Sequence, residues 1–147
     1  MKLLLDTSIF IKILDDSPQL SKVHREAIAD PANEKWISLF SFMELVIKIK
    51  IGKLPQITLS PIDILKQSLD NGFLLLPLST HHVFAYQQLP LMEEHRDPFD
   101  RFIISTALVE QMTILTTDSK FSLYSDFVRV IRILPSPTRW IGAGVRC

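Results

Sequence analysis

The chain has 147 residues, 47% of them hydrophobic, with 16 Lys and Arg against 16 Asp and Glu for a formal net charge of zero. That length and apolar content suit one compact domain with a real core, and 4 Gly and 9 Pro exclude collagen-like and disordered chains. A neutral balance lacks the basic footprint of a strongly charged nucleic-acid binder, so any such role rests on local charge. No apolar run approaches the roughly 20 residues of a membrane span. The opening run Leu3-Leu4-Leu5 is cut at Asp6, too short for a secretion signal. Cys147 stands alone and allows no intrachain disulfide, so the expectation is a cytoplasmic protein.

Lys2–Leu5 reads as a short buried strand, followed by a helical turn over Thr7–Leu14. Pro18 suits the first turn of a helix running to Ala29, which Pro31-Ala32-Asn33 ends. Trp36–Ser38 predicts a second strand, and Leu39–Ile51 a helix closed by Gly52 and Pro55. Ser60-Pro61 starts a helix ending at Asn71-Gly72, and Phe73–Leu76 reads as a third strand. Thr80–Leu89 predicts a helix capped by Ser79 or Thr80, and Asp97-Pro98 begins another that reaches Gln111. Thr113–Thr116 and Phe127–Ile133 complete about five strands. Short apolar strands alternating with helices predict an α/β domain with a mostly parallel sheet, whose sites form beyond the carboxyl ends of the strands. Asp6 and Asp118 follow the first and fourth strands and so meet at that edge.

Each candidate acid also has an ordinary structural reading. Asp6 is well placed to cap the helix after it. Ser41-Phe42-Met43-Glu44 matches an S-x-x-E capping box, with Phe40 and Leu45 as its hydrophobic staple. Against that, the apolar helix starts near Ser38, which puts Glu44 in the second turn, in line with Ser41 and Lys48. Asp97 reads as an N-cap before Pro98, and Asp100 lies at the third helical position, near the positive end of the dipole. Asp118 could form an Asx-turn. Four carboxylates gathered at one edge repel each other, and a hard divalent cation such as Mg2+ or Mn2+, one or two ions, resolves that repulsion. Such a centre suits phosphoryl chemistry on a metal-activated water.

These residues carry a resemblance. Leu3-Leu4-Leu5-Asp6-Thr7-Ser8 looks like the opening strand and first acid of PIN domains, and Ser41-Phe42-Met43-Glu44 resembles the family's helix-borne Glu. The run His95 to Ala107 is similar to the most characteristic PIN stretch of VapC-type toxins, and Leu115-Thr116-Thr117-Asp118 to the final strand and acid. The resemblance covers Lys2 to Ile133, giving a domain over residues 1–134 and a tail over 135–147 that has no counterpart in the pattern. It implies a Rossmann-like sheet and metal-dependent cleavage of single-stranded RNA. It implies Asp6, Glu44, Asp100 and Asp118 as the metal and catalytic acids, with Asp97 as a fifth member in one subgroup. Thr7 or Ser8, and Thr116, would orient acids or water. It further implies the toxin of a type II toxin–antitoxin pair, a homodimer, and a cognate antitoxin that silences the site.

Other residues weigh less. His24, His81, His82 and His95 show no metal-ligand spacing and read as surface or helix-end residues. Lys48, Lys50, Lys53 and Arg101 are read as lying outside the acid-dominated site, and the lysine run is either a phosphate contact or a solvated helix face. Trp36 reads as core, and Trp140 is open between core and base stacking. No G-x-S-x-G, G-x-G-x-x-G or P-loop occurs. A receiver-like signalling module would need an acid at the end of a middle strand, where Leu76-Pro77-Leu78 has none. A PIN fold kept only for binding is the other alternative, and the intact acids argue against it.

Overall fold

Three consecutive leucines are wholly buried because the first strand runs through the centre of a sheet covered on both faces. The structure, a computed structural model, describes residues 1–90 and 97–132. In chain order the elements are β1 (Lys2–Leu5), α1 (Thr7–Leu14), α2 (Lys22–Ala29), β2 (Glu34–Ser38), α3 (Leu39–Lys50), α4 (Pro61–Asp70) and β3 (Phe73–Leu76). There follow α5 (Thr80–Gln88), α6 (Pro98–Glu110), β4 (Thr113–Thr116), a 3-10 helix (Ser119–Tyr124) and β5 (Val130–Arg132). Among the described residues the strands form one sheet, ordered β3-β2-β1-β4-β5, with every pairing parallel.

Side-chain alternation along the strands divides the core in two. Leu4 and Ile114 face a cluster with Ile103, Ile104 and Ala107 of α6 and with Phe121 and Tyr124. Leu3, Leu5 and Leu115 face the opposite cluster, with Ile9 and Phe10 of α1, Leu45 of α3 and Ile64 of α4. The result is an α/β/α layering, as the alternation of short strands and helices predicts. The chain winds outward from β1 to β2 and β3, then crosses to β4 and β5 on the other side. The strand order therefore reverses between β1 and β4, and their carboxyl ends open the crevice where such folds place their sites.

Most predicted elements stand within a residue or two of their expected bounds. Two differ more. α2 begins at Lys22, not near Pro18, because the Ser21 hydroxyl accepts the His24 N–H at 3.4 Å and starts the helix there. β5 begins at Val130, not Phe127, because the Phe127 and Val128 amides bond the Tyr124 carbonyl and close the 3-10 turn. Trp36 is half-buried against the α6-side cluster, and its Nε1 donates to Glu34 at 2.9 Å. His95, Arg96, Arg139, Trp140, Cys147 and the tail over 135–147 lie outside the described residues. No helix among the described residues is long and apolar enough to cross a membrane.

The end of α3 shows how local chemistry sets these bounds. Gly52 takes φ +78°, and the Gly52 and Lys53 amides donate back to Ile49 and Lys48 at 3.1 and 2.9 Å, satisfying the last carbonyls. Open space surrounds the position a Cβ would occupy, so the glycine is needed for its backbone alone. Gly52→Ala is expected to cost about 1 kcal/mol from the left-handed conformation, read as a lower urea midpoint with an unchanged slope.

Candidate active site

Register places the first acid. Leu5 pairs with Leu115, so the Asp6 N–H donates to the Leu115 carbonyl at 3.2 Å and the side chain turns into the switch-point crevice beside Thr116. Asp6 is both cap and site residue. Its Oδ1 accepts the Ile9 N–H at 2.7 Å and the Ser8 hydroxyl at 2.9 Å, which starts α1. Its Oδ2 accepts the Thr116 hydroxyl, and Thr116 Oγ1 in turn accepts the Asp118 N–H at 3.0 Å. Burial raises the Asp6 pKa to about 6. The bonds from Thr116, Ile9 and Ser8 pull against that rise, and the charge of Asp100 adds to it. Asp6 and Asp100, remote in sequence, are therefore close enough to repel.

Asp100 reaches the site through α6. Asp97 caps this helix by accepting the Phe99 N–H at 2.9 Å, and Pro98 holds its first position. Asp97 is exposed and its carboxylate is engaged in that cap. Two turns of aromatic packing then fix the start of α6 to α3: Phe40 lies 4.8 Å from the Phe99 ring and 4.3 Å from Phe102. Arg101, next to Asp100, has its pKa pushed by burial in one direction and by the neighbouring Tyr86 and Tyr124 in the other, with a net rise.

Glu44 sits on α3, which packs against both α1 and α6. The helix begins at Leu39 and is capped by Ser38, whose hydroxyl accepts the Phe40 N–H at 3.1 Å. Ser41-to-Glu44 is therefore not a capping box: Ser41 is inside the helix, and its hydroxyl is buried without a partner among the described residues. Glu44 is 8% exposed. Its Oε2 pairs with Lys48 at 3.3 Å, one turn on, while its Oε1 is buried with no partner among the described residues. Lys48, in line with Glu44 at the i+4 spacing the sequence gives, is thus in contact with one of the acids.

Asp118 is half-buried, and its Oδ1 accepts the Lys120 N–H at 2.8 Å, capping the 3-10 helix. Thr7 is buried and its hydroxyl has no partner among the described residues, whereas Ser8 and Thr116 both donate to Asp6. Among the described residues no three His, Cys, Asp or Glu side chains stand close enough to form a ready metal cage. The donor set nevertheless fits Mg2+ or Mn2+. It is built of hard oxygens, two of its acids repel, and Glu44 Oε1 is a buried acceptor with nothing to accept from. Clefts of about 450 and 510 Å3 lie elsewhere and are lined by none of these four acids.

The histidines correct one expectation. His24 and His82 occupy third helical positions, as a helix-end reading has it, but neither is on the surface: they are 0% and 1% exposed. His24 Nε2 lies 2.9 Å from the Thr116 carbonyl. His82 accepts the Ser79 N–H at 3.2 Å and meets Glu110 at 2.7 Å, joining α5 to α6. Lys12 is a further residue the sequence pattern does not single out; its Nζ donates to Thr117 at 2.8 Å. Only the helix periodicity of Lys12 and His24, each one buried-side position on a short helix, could have flagged them.

An α/β/α domain with a buried carboxylate at the switch point of a parallel sheet is the class that this fold and site define. The PIN domain family profile matches residues 3–126, and the chain belongs to that family. No curated protein sequence matches significantly. Among solved structures, a chain of VapBC2 from Rickettsia felis, bound to a DNA fragment from their promoter, is 21% identical with a TM-score of 0.69. The match covers 91% of this chain and 100% of that one. A chain of DNA-bound VapBC from Salmonella typhimurium is 19% identical, with a TM-score of 0.63 and coverage of 90% and 98%. A chain of VapBC-5 from Mycobacterium tuberculosis, a member of the VapBC family of toxin-antitoxin systems, is 17% identical, with a TM-score of 0.57 and coverage of 90% and 97%. At these identities the likeness establishes the fold.

The raised Asp6 pKa has a consequence for stability. The folded state holds a proton on Asp6 up to pH about 6, whereas the unfolded chain releases it near 3.8. Stability from this group therefore falls as pH rises through that window, and the ionised carboxylate costs about 3 kcal/mol above it. Asp6→Asn keeps the cap and removes the charge. In EDTA at pH 8 it is expected to melt above the wild type, with the gain shrinking as pH falls from 6 to 4. Thermal melts across that range read the effect.

Proposed function

We propose that this PIN domain is a Mg2+- or Mn2+-dependent endoribonuclease that cleaves single-stranded RNA, and the toxin of a toxin–antitoxin pair. The observation that carries the reading is the buried carboxylate of Asp6, held at the switch point within electrostatic reach of Asp100. Asp6, Glu44, Asp100 and Asp118 are the residues that would hold the cation. When bound, it would polarise the scissile phosphate, lower the pKa of a water ligand and neutralise developing charge. The chain's own part is to place and dry the acids. Thr116 and Ser8 orient the two oxygens of Asp6, the Phe40–Phe99–Phe102 stack sets α6 against α3, and Asp118 or Glu44 orients the attacking water. Asp97 serves this site as the cap that fixes the start of α6.

Kinship to chains of VapBC complexes supports the antitoxin as partner and the toxin as this chain's role. A row of exposed apolar side chains along α3, Leu39, Met43, Ile47 and Ile51, supports a protein partner, either the antitoxin or a second copy in a homodimer.

Asp6→Asn and Asp100→Asn are each expected to lower Mn2+-dependent RNA cleavage by at least ~100-fold, beyond the usual loss for a residue that only supports a ligand, with circular dichroism unchanged. Unchanged cleavage by both variants would overturn the assignment. Lys48 answers the Glu44 charge where a cation would otherwise do so. Lys48→Met is expected to tighten Mn2+ binding about fivefold, roughly 1 kcal/mol for such a partly exposed pair, as read by titration calorimetry.

A further inference from the structure

We infer that His24 is a positioning residue for the acidic site, acting through Thr116. It sits on α2, outside the four acids, and its ring is wholly buried. Its Nε2 lies 2.9 Å from the Thr116 carbonyl oxygen. A carbonyl only accepts, so Nε2 carries the proton and donates. Burial pushes the imidazole pKa below its usual value, which keeps the ring neutral at pH 7. Nδ1 is then a bare acceptor, buried without a partner among the described residues.

Packing does not account for this arrangement. An orphaned buried acceptor costs stability; an aliphatic side chain of similar size would avoid that cost but would leave the Thr116 carbonyl without this donor, so the imidazole is kept for the bond it makes. What the imidazole supplies is a fixed end to β4. Thr116 is the last residue of that strand and is gripped from two sides. Its carbonyl is held by His24 from α2, and its hydroxyl spans Asp6 Oδ2 and the Asp118 N–H. The next residue, Thr117, is braced from α1 by Lys12. Rotation of the Thr116 peptide would carry the hydroxyl away from Asp6 and release Asp118 together. His24 thereby sets the spacing of two of the acids without touching either. The effect on cation affinity rests on the metal-nuclease reading; the effect on the Thr116–Asp118 turn does not.

The test uses the full chain as wild type, His24→Leu, His24→Gln, Thr116→Val and the His24→Leu/Thr116→Val double variant. Amide exchange is followed by NMR in EDTA, and Mn2+ affinity by calorimetry. His24→Leu removes the orphaned Nδ1 together with the donor to the Thr116 carbonyl, so the two effects oppose and it is expected to melt close to the wild-type temperature. Its Asp118 amide should exchange about 10-fold faster through local opening, and its Mn2+ affinity should fall about 10-fold, the low end for a supporting residue. His24→Gln, whose amide can donate to the same carbonyl, should restore both. In the Thr116→Val background His24→Leu should add nothing further, because the two act in series. An unchanged Asp118 exchange rate in His24→Leu overturns the inference. So do additive effects of the two substitutions, or losses that follow the melting temperature in the Leu and Gln variants alike. Should the wild type bind no Mn2+, the metal reading fails, and the exchange measurement still decides the role of His24.

Discussion

The carboxylate of Asp6 joins parts of the chain that would otherwise have no reason to meet at a fixed distance. One oxygen starts α1 through the Ile9 amide and the Ser8 hydroxyl; the other receives the Thr116 hydroxyl from the end of β4. The parallel pairing of β1 with β4 brings these groups level, and the reversal of strand order at that seam leaves room beyond them. Everything else in the candidate site is arranged around this point. Asp100 approaches along α6, Asp118 hangs from the same Thr116 hydroxyl, and α3 carries Glu44 against both neighbouring helices.

Such an arrangement opposes stability. Burying Asp6 near a second carboxylate raises its pKa to about 6, and Glu44 keeps one oxygen buried with no donor. Hydrogen bonds only partly offset the desolvation. A fold selected for stability alone would replace these groups with apolar ones, as buried charges rarely repay their loss of hydration. The surrounding core carries that cost: β1 is flanked by two apolar clusters and by helices with defined caps. The pairing of Glu44 with Lys48 belongs to the same balance, because it answers within one helix a charge that a divalent cation would answer more strongly.

Local signals were legible where a single residue type has one dominant use. Phe73–Leu76 and Thr113–Thr116 are apolar runs between turn residues, and both strands have those bounds. Gly52 ended α3, and Asp97-Pro98 began α6. Proline at 18 misled, because the Ser17 hydroxyl and carbonyl close only a single turn there, and the hydroxyl that starts the helix is at Ser21. Phe127 misled because its apolar character says nothing of its amide, which the 3-10 turn had already engaged. The Ser41–Glu44 spacing fits a capping box equally well by letter, and only the true start of the helix distinguishes the two.

From the sequence alone come the class of fold, the order of its elements, and the short set of acids at strand ends and helix starts. These follow from periodicity and from residues that act on their immediate neighbours. The family was legible for the same reason, since its motifs are contiguous runs. Tertiary structure decided which atoms of those acids are engaged and by what. It placed Thr116 between Asp6 and Asp118, and buried His24 against a carbonyl 92 positions away. Burial and charge coupling depend on distances across the sheet, and those distances exist only after β1 and β4 have paired.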